Sequence, residues 1–276
     1  MELGTYNELE ISRKTEDGFI LSDENNVEVF LSAAEGDVTW EIGKKLNVFV
    51  YEGFLGKKKA TLKTPKIQLN QFSYLPVSSI EDIGVFVDWG MEKHLLIPPK
   101  QEGQRMYEDE SHIIFMYKDK MSGKIYGSNK IEKRLSNEVL TVEEGDEVDL
   151  LVQRESDLGY VVIVNHKHRG LVFENDIFQE LKEGDQLKGF VKKIQPENRL
   201  DISIRPMGYR NAITPDSKVI LEALKEADGF LPLTDKSPPD LIMVELNLSK
   251  KAFKRAVGAL YKSKKIEIKD SGIHLL

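Results

Sequence analysis

Along most of the chain, apolar and polar residues alternate with period 2, and one order of features comes three times. In each case a glycine opens a short aliphatic run: Gly18-Phe19-Ile20-Leu21, Gly84-Val85-Phe86-Val87 and Gly159-Tyr160-Val161-Val162-Ile163-Val164. A second run follows, from Val27 to Leu31, from His94 to Ile97 and from Gly170 to Phe173. In the first and third stretches a Gly-Lys or Gly-Asp turn, Gly43-Lys44 or Gly184-Asp185, leads into a further run. Short runs of this period, bounded by Gly, Asp, Asn and Pro, are strand signals. Four or five strands in about 65 residues are too few for a stable open sheet, whereas a small closed barrel removes the edges. Three barrels are expected, over residues 1–64, 65–144 and 145–212.

From about residue 213 the period lengthens to that of helices. Ser217 to Ala227 places Val219, Leu221, Ala223 and Leu224 at helical spacing. Ser237-Pro238-Pro239-Asp240 opens a second helix, with Ser as N-cap and Pro in the first turn. Leu241, Ile242, Val244 and Leu246 are expected on its buried side. Asn247-Leu248 turns into Ser249, the N-cap of a third helix running to about Ser263. Lys265 to Ile268 and Ile273 to Leu276, separated by Lys269-Asp270-Ser271-Gly272, then read as strand, turn, strand. This is the order of a winged helix-turn-helix, expected over 213–276.

Composition narrows what such modules do. The 276 residues include no cysteine, which excludes disulfide scaffolds, thiolate metal sites and a Cys nucleophile. The opening MELGTYNELE lacks the basic and apolar regions of a secretory leader, and no apolar run approaches the ~20 residues of a membrane span. A cytoplasmic location without membrane contact is the expectation. The five histidines are scattered, no Gly-rich phosphate loop precedes a helix, and neither HExxH nor GxSxG occurs. His166-x-His168 has no third ligand of suitable type nearby. No enzyme activity, cofactor or metal is expected. The formal net charge is −7, but it is unevenly spread. Residues 1–64 carry 8 basic and 12 acidic side chains (−4), 65–144 carry 10 and 13 (−3), 145–212 carry 10 and 12 (−2), and 213–276 carry 11 and 9 (+2).

The three β stretches resemble S1-type RNA-binding domains, which are five-stranded OB barrels. In that family the second strand reads roughly Asp-Phe-Gly-Ala-Phe-Val and the third ends in Gly-Leu-Val-His. Here Asp82-Ile83-Gly84-Val85-Phe86-Val87 with Asp119 and Gly123-Lys124 matches most closely. Asp157-Leu158-Gly159-Tyr160-Val161-Val162 with Gly170-Leu171-Val172-Phe173 and Arg199 comes next. Ile83 and Leu158 replace the first aromatic, and Pro98 and Phe173 replace the histidine. The first repeat, with Ile20 at the second aromatic position, departs furthest. Three such repeats followed by a winged helix are similar to the conserved virulence factor B family of bacterial RNA-binding proteins. The resemblance implies a mainly β chain of three tandem OB-type barrels and a small α/β winged helix. It also implies RNA binding and post-transcriptional influence on gene expression, with no catalytic step.

Single-stranded RNA is held by bases stacking on exposed aromatics and by cations along the phosphates. In the second repeat Phe86 turns outward between Val85 and Val87, unless it is that small barrel's largest core residue. Trp89 either extends the platform at the strand exit or is structural. Lys118, Asp119 and Lys124 bracket the last hairpin. In the third repeat Phe173 shares a face with Leu171, so the two are outward or core together. Lys167 and Arg169 lie in a loop that Lys192, Lys193 and Arg199 can face across a groove. The third helix of the C-terminal module sets Lys250, Lys251, Lys254, Arg255 and Lys262 on one face, opposite Ala252, Phe253, Ala256, Val257 and Leu260. In a winged helix this element can enter a DNA major groove. RNA duplexes hide that groove, and there the face would bind phosphates. Two alternatives stay open: a DNA-binding regulator using the winged helix, and an adaptor on the ribosome or RNA polymerase.

Overall fold

In a computed structural model of the chain, residues 1–177, 179–205 and 215–276 are described. They fall into two units, 1–204 and 205–276. The expected boundary between residues 212 and 213 lies outside the described residues.

The first unit holds fifteen strands in three sets of five. The first set is β1 (Thr5–Thr15), β2 (Gly18–Ser22), β3 (Glu28–Ser32), β4 (Lys45–Glu52) and β5 (Lys58–Thr61). The second is β6 (Phe72–Glu81), β7 (Gly84–Val87), β8 (Leu95–Ile97), β9 (Ser111–Lys118) and β10 (Ile125–Ser128). The third is β11 (Glu147–Ser156), β12 (Gly159–Val164), β13 (His168–Phe173), β14 (Gln186–Gln195) and β15 (Arg199–Ser203). The first and third sets close into barrels, because β3 pairs in parallel with β5, and β13 with β15. The second keeps the same order but remains a five-stranded sheet, with β8 and β10 at its ends. The chain is thus mainly β, with three closed or nearly closed five-stranded barrels.

Two local devices recur. Gly18, Gly84 and Gly159 open β2, β7 and β12 at φ of 156°, 138° and 135°. A Cβ there would sit 2.1–2.2 Å from the carbonyl oxygen of Leu31, Ile97 or Val172 on the neighbouring strand, so only glycine fits. Each first strand also carries a bulge, at Ser12, Ser78 and Gln153, where the pairing register slips by one residue. Bulges sharpen strand twist, which a barrel this small requires.

The barrels are not separate beads. Phe49 and Tyr51 of β4 are buried in the same apolar cluster as Leu75, Val87, Trp89 and Met91 of the second set. The rings of Phe49 and Tyr51 meet Trp89 edge-on, with centroids 5.8 Å and 6.3 Å apart, and burial pushes the Tyr51 hydroxyl up to about 12. A second shared cluster joins Phe72, Ile113 and Phe115 to Leu151 and Ile163 of the third barrel. There the Phe72 backbone N–H donates to His166 Nδ1 at 3.1 Å. Burial depresses the imidazole's pKa, against the opposing charge of Asp149.

The second unit is a winged helix. It comprises α1 (Pro215–Glu226), β16 (Phe230–Leu231), α2 (Pro239–Leu246), α3 (Lys250–Lys262), β17 (Ile266–Lys269) and β18 (Gly272–Leu275), with sheet order β16-β18-β17. Ile220, Leu224, Ile242, Leu246, Phe253 and Leu260 are among its core. Ser249 caps α3, accepting from the Ala252 N–H at 3.2 Å. Asn247 takes the left-handed conformation that ends α2, at φ 52°. Two expectations need correction. Ser237 does not cap α2: the N-cap is Pro238, without a side-chain bond, and the Ser237 hydroxyl accepts from the Thr234 N–H. Of the four apolar residues expected inside α2, only Ile242 and Leu246 are buried. At 100° per residue these two share a stripe, which leaves Leu241 41% and Val244 82% exposed.

Candidate nucleic-acid interface

Residues 169, 171 and 173 of β13 point outward, because His168, Gly170 and Val172 between them are buried. Leu171 and Phe173 are both half-buried, and so they belong to the outer face together. They floor a groove of about 730 Å³ that also receives Leu158, Val161, Arg154, Arg169 and Arg199. Arg154 stands just after the Gln153 bulge. Arg199 begins β15, next to a turn in which Glu197 and Asn198 have φ of 63° and 56°. Three guanidiniums face two carboxylates, Glu197 and Asp201, along this groove. Asp201 is engaged by Gln195 Nε2 at 2.8 Å, and Arg169 is ion-paired with Glu132. Apolar floor, aromatic ring and planar cations together can stack bases and grip phosphates.

Of the residues expected around this face, Phe173, Arg169 and Arg199 are brought together. Lys167, Lys192 and Lys193 do not line the groove. Lys192 is ion-paired with Asp176, because the bulge between Val191 and Lys193 turns it away from its neighbours' register. Arg154, Asn137 and Gln195 line the groove without having been foreseen. Only the bulge turns Arg154 outward, and Asn137 lies in the connection between barrels; neither carries a sequence signal. His166 and His168 are packing residues, the first at the junction described above, the second 2% exposed and hydrogen-bonded through both nitrogens.

The second barrel offers a smaller pocket of about 240 Å³, beside the unpaired ends of β8 and β10. Half-buried Phe86 lines it with Ile83, Leu96, Tyr126 and Lys124. Lys93 at its rim is tied to Glu52 at 2.8 Å. Two expectations are corrected here. Trp89 also lines the pocket but is only 4% exposed, with its indole N–H donating to the Lys93 carbonyl at 2.6 Å; packed edge-on with Phe49 and Tyr51, it belongs to the inner wall and not to a projecting platform. Asp119 accepts from the N–H and hydroxyl of Ser122, both at 2.7 Å, which lower its pKa. It builds the β9–β10 turn, and Lys118 stands exposed beside it. In the first barrel, Lys59 is bound to Glu92 at 2.7 Å.

On α3, Lys251, Lys254 and Arg255 are exposed and Lys250 is half-buried. Arg255 pairs with Asp216 at 2.8 Å. The side chain of Lys262 lies outside the described residues. The exposed side of α2 carries Asp240 and Glu245 beside Leu241 and Val244, and no cation.

Comparison with known proteins agrees with this domain content. Residues 218–275 match the model of the CvfB-like winged helix domain. Residues 3–63 match that of the S1 domain, which is the repeat whose exposed aromatics depart furthest. The chain is 28% identical over 281 residues to the uncharacterized protein YitL of Bacillus subtilis, covering 96% of this chain and 91% of that one. It is 26% identical over 282 residues to conserved virulence factor B of Staphylococcus epidermidis, covering 99% and 94%. A crystal structure from Streptococcus pneumoniae, described as a multidomain protein with nucleic acid binding domains, aligns over 99% of this chain and 98% of its own. The identity there is 22% and the TM-score 0.42. The resemblance read from the order of modules therefore extends along nearly the whole sequence. Both matched domains are of nucleic-acid-binding type.

Proposed function

We propose that this chain, a relative of the conserved virulence factor B proteins over nearly its whole length, is a non-catalytic RNA-binding protein that acts after transcription. Its principal site for single strands is the third-barrel groove. The observation that carries this reading is the meeting of Phe173 and Leu171 with Arg154, Arg169 and Arg199 on one outer face. Bases need a π-face or apolar floor, and phosphates need cations; single-strand sites combine the two. The basic face of α3 supplies a second contact, joined to the first by the chain itself, so two modest sites gain by effective concentration. A duplex-DNA reading is less well supported by α2. In helix-turn-helix docking the first helix crosses the phosphate backbone, and α2 would bring Asp240 and Glu245 there.

The test is equilibrium binding of a labelled single-stranded oligouridylate across a salt series. Affinity should fall steeply with salt, because bound cations displace condensed counterions. Changing Arg169 and Arg199 together to Ala should reduce the magnitude of the log–log slope by about 1.4, at roughly 0.7 per phosphate contact on a single strand. An unchanged slope would remove the groove from the site. Stronger binding of duplex DNA in direct competition would replace RNA with DNA as the ligand.

A further inference from the structure

The groove of the third barrel is not made by the barrel alone. Leu135, Ser136 and Asn137 line it, and they belong to the segment joining β10 to β11. That segment is fastened down. The Ser136 N–H donates to the Lys167 carbonyl at 3.0 Å. Buried His168 meets the Ser136 carbonyl through Nδ1 at 2.7 Å, and its Nε2 accepts from the Thr141 N–H at 3.1 Å. A neutral ring with the proton on Nδ1 serves both partners, an assignment made from the hydrogen-bond pattern.

Asn137 completes the attachment, and the way it does so bears on the two arginines. Its Oδ1 accepts from the Arg169 N–H at 2.8 Å. Its Nδ2 donates to the Arg169 carbonyl and to the Asn198 carbonyl, each at 2.8 Å. Asn198 answers by donating to the carbonyls of Asn137 at 2.8 Å and Glu138 at 3.1 Å. One side chain thus bridges the backbone of Arg169 on β13 and the left-handed turn immediately before Arg199. Glu197 adopts that turn conformation only at a cost in energy, and the bridge at the neighbouring Asn198 holds the turn.

We infer that Asn137 is a positioning residue for nucleic acid: it fixes the backbone from which Arg169 and Arg199 rise, and so makes the inter-barrel segment part of the binding site. The inference rests on the reading that this groove holds single-stranded RNA. A guanidinium displaced by even a fraction of its reach loses the bidentate geometry that distinguishes it from a point charge.

A double-mutant cycle on the full chain tests it, with labelled oligouridylate as the probe. The proteins are wild type, Asn137→Ala, the Arg169→Ala/Arg199→Ala double variant and the triple variant. Asn137→Ala should weaken binding about tenfold and flatten the salt dependence towards that of the double variant. In the triple variant the same change should add no more than about twofold, since a residue acting through two arginines has nothing to position once they are gone. A loss that persists in full in the triple variant, or wild-type affinity in Asn137→Ala, overturns the inference. If the arginine double variant binds like wild type, the groove reading itself fails, which is a separate result. Thermal melts accompany each protein. Should Asn137→Ala not fold, Asn137→Ser takes its place in the cycle, because its short hydroxyl keeps a polar group there but cannot bond Arg169 and Asn198 at once. A loss with that variant that vanishes without the arginines supports the inference, and one that remains overturns it.

Discussion

The second and third barrels share a strand order, an opening glycine and a first-strand bulge, yet they present different surfaces. The third is closed by the parallel pairing of β13 with β15, and three arginines stand round its outer face. The second is unpaired between β8 and β10, and its smaller pocket is lined by two lysines and no arginine: Lys93, which is ion-paired with Glu52, and Lys124. Its largest aromatic, Trp89, is directed inward against the first barrel. Duplicated folds therefore divide labour through a few side chains. In the middle repeat Trp89 serves cohesion while Phe86 stays on the outer face, and in the last repeat the aromatic, Phe173, faces outward.

The largest effect expected from breaking this contrast is at Trp89. Trp89→Ala should cost about 3–5 kcal/mol of stability, the range for emptying a large aromatic site in a core. Denaturant unfolding followed by tyrosine fluorescence and circular dichroism would measure it. The barrel-three arginines should still bind RNA at temperatures where the variant stays folded. A variant that melts like wild type but loses RNA would reverse the assignment and make Trp89 a binding residue. The next effect in size compares Phe173 with Phe86. Phe173→Ala should weaken oligouridylate binding by about 1–3 kcal/mol, the range for a stacked base, and Phe86→Ala should weaken it by clearly less. Equal losses in a titration of the two variants would erase the difference between the barrels.

The smallest effect concerns the junction itself. The imidazole of His166 accepts a hydrogen bond from Phe72 while neutral, and burial holds its pKa below the ordinary 6.5. The unfolded chain therefore binds the proton more readily than the folded one. The stabilisation is complete above about pH 6.5 and declines as pH falls through the lowered folded value. Thermal melts between pH 8 and pH 5 should show this component in wild type and its absence in His166→Asn. Identical pH profiles for the two would sharpen the comparison differently, by showing the second junction to be held by its apolar cluster alone.

Much of the fold was legible because it is written in residues with no substitute. Gly18, Gly84 and Gly159 mark the same backbone geometry three times, and Ser249 and Asn247 mark the ends of two helices. The surfaces were harder to read. Periodicity sets Phe86 opposite Val85 and Val87 and ties Phe173 to Leu171 without saying which face is outer, and Trp89 follows the end of β7, where period 2 no longer says which way a side chain turns. Leu241 and Val244 are apolar without being buried, which composition cannot distinguish. Arg154 and Asn137 reach the groove through a bulge and a stapled connection. Both depend on register between distant segments, and no local pattern records that register.

The aromatic seam between the first two barrels has a consequence for how such chains are inherited. A module that folds alone can be copied, lost or grafted elsewhere as a unit. Here a cut after residue 64 would leave Phe49 and Tyr51 on one fragment and Trp89 on the other, each facing water with an apolar scar suited to aggregation. A cut after the second barrel would likewise part Phe72 and Phe115 from Leu151 and Ile163, so the smallest piece that recombination can move intact is the set of three barrels. The sequence repeats with a period of one module, but the two seams set the unit of exchange at three.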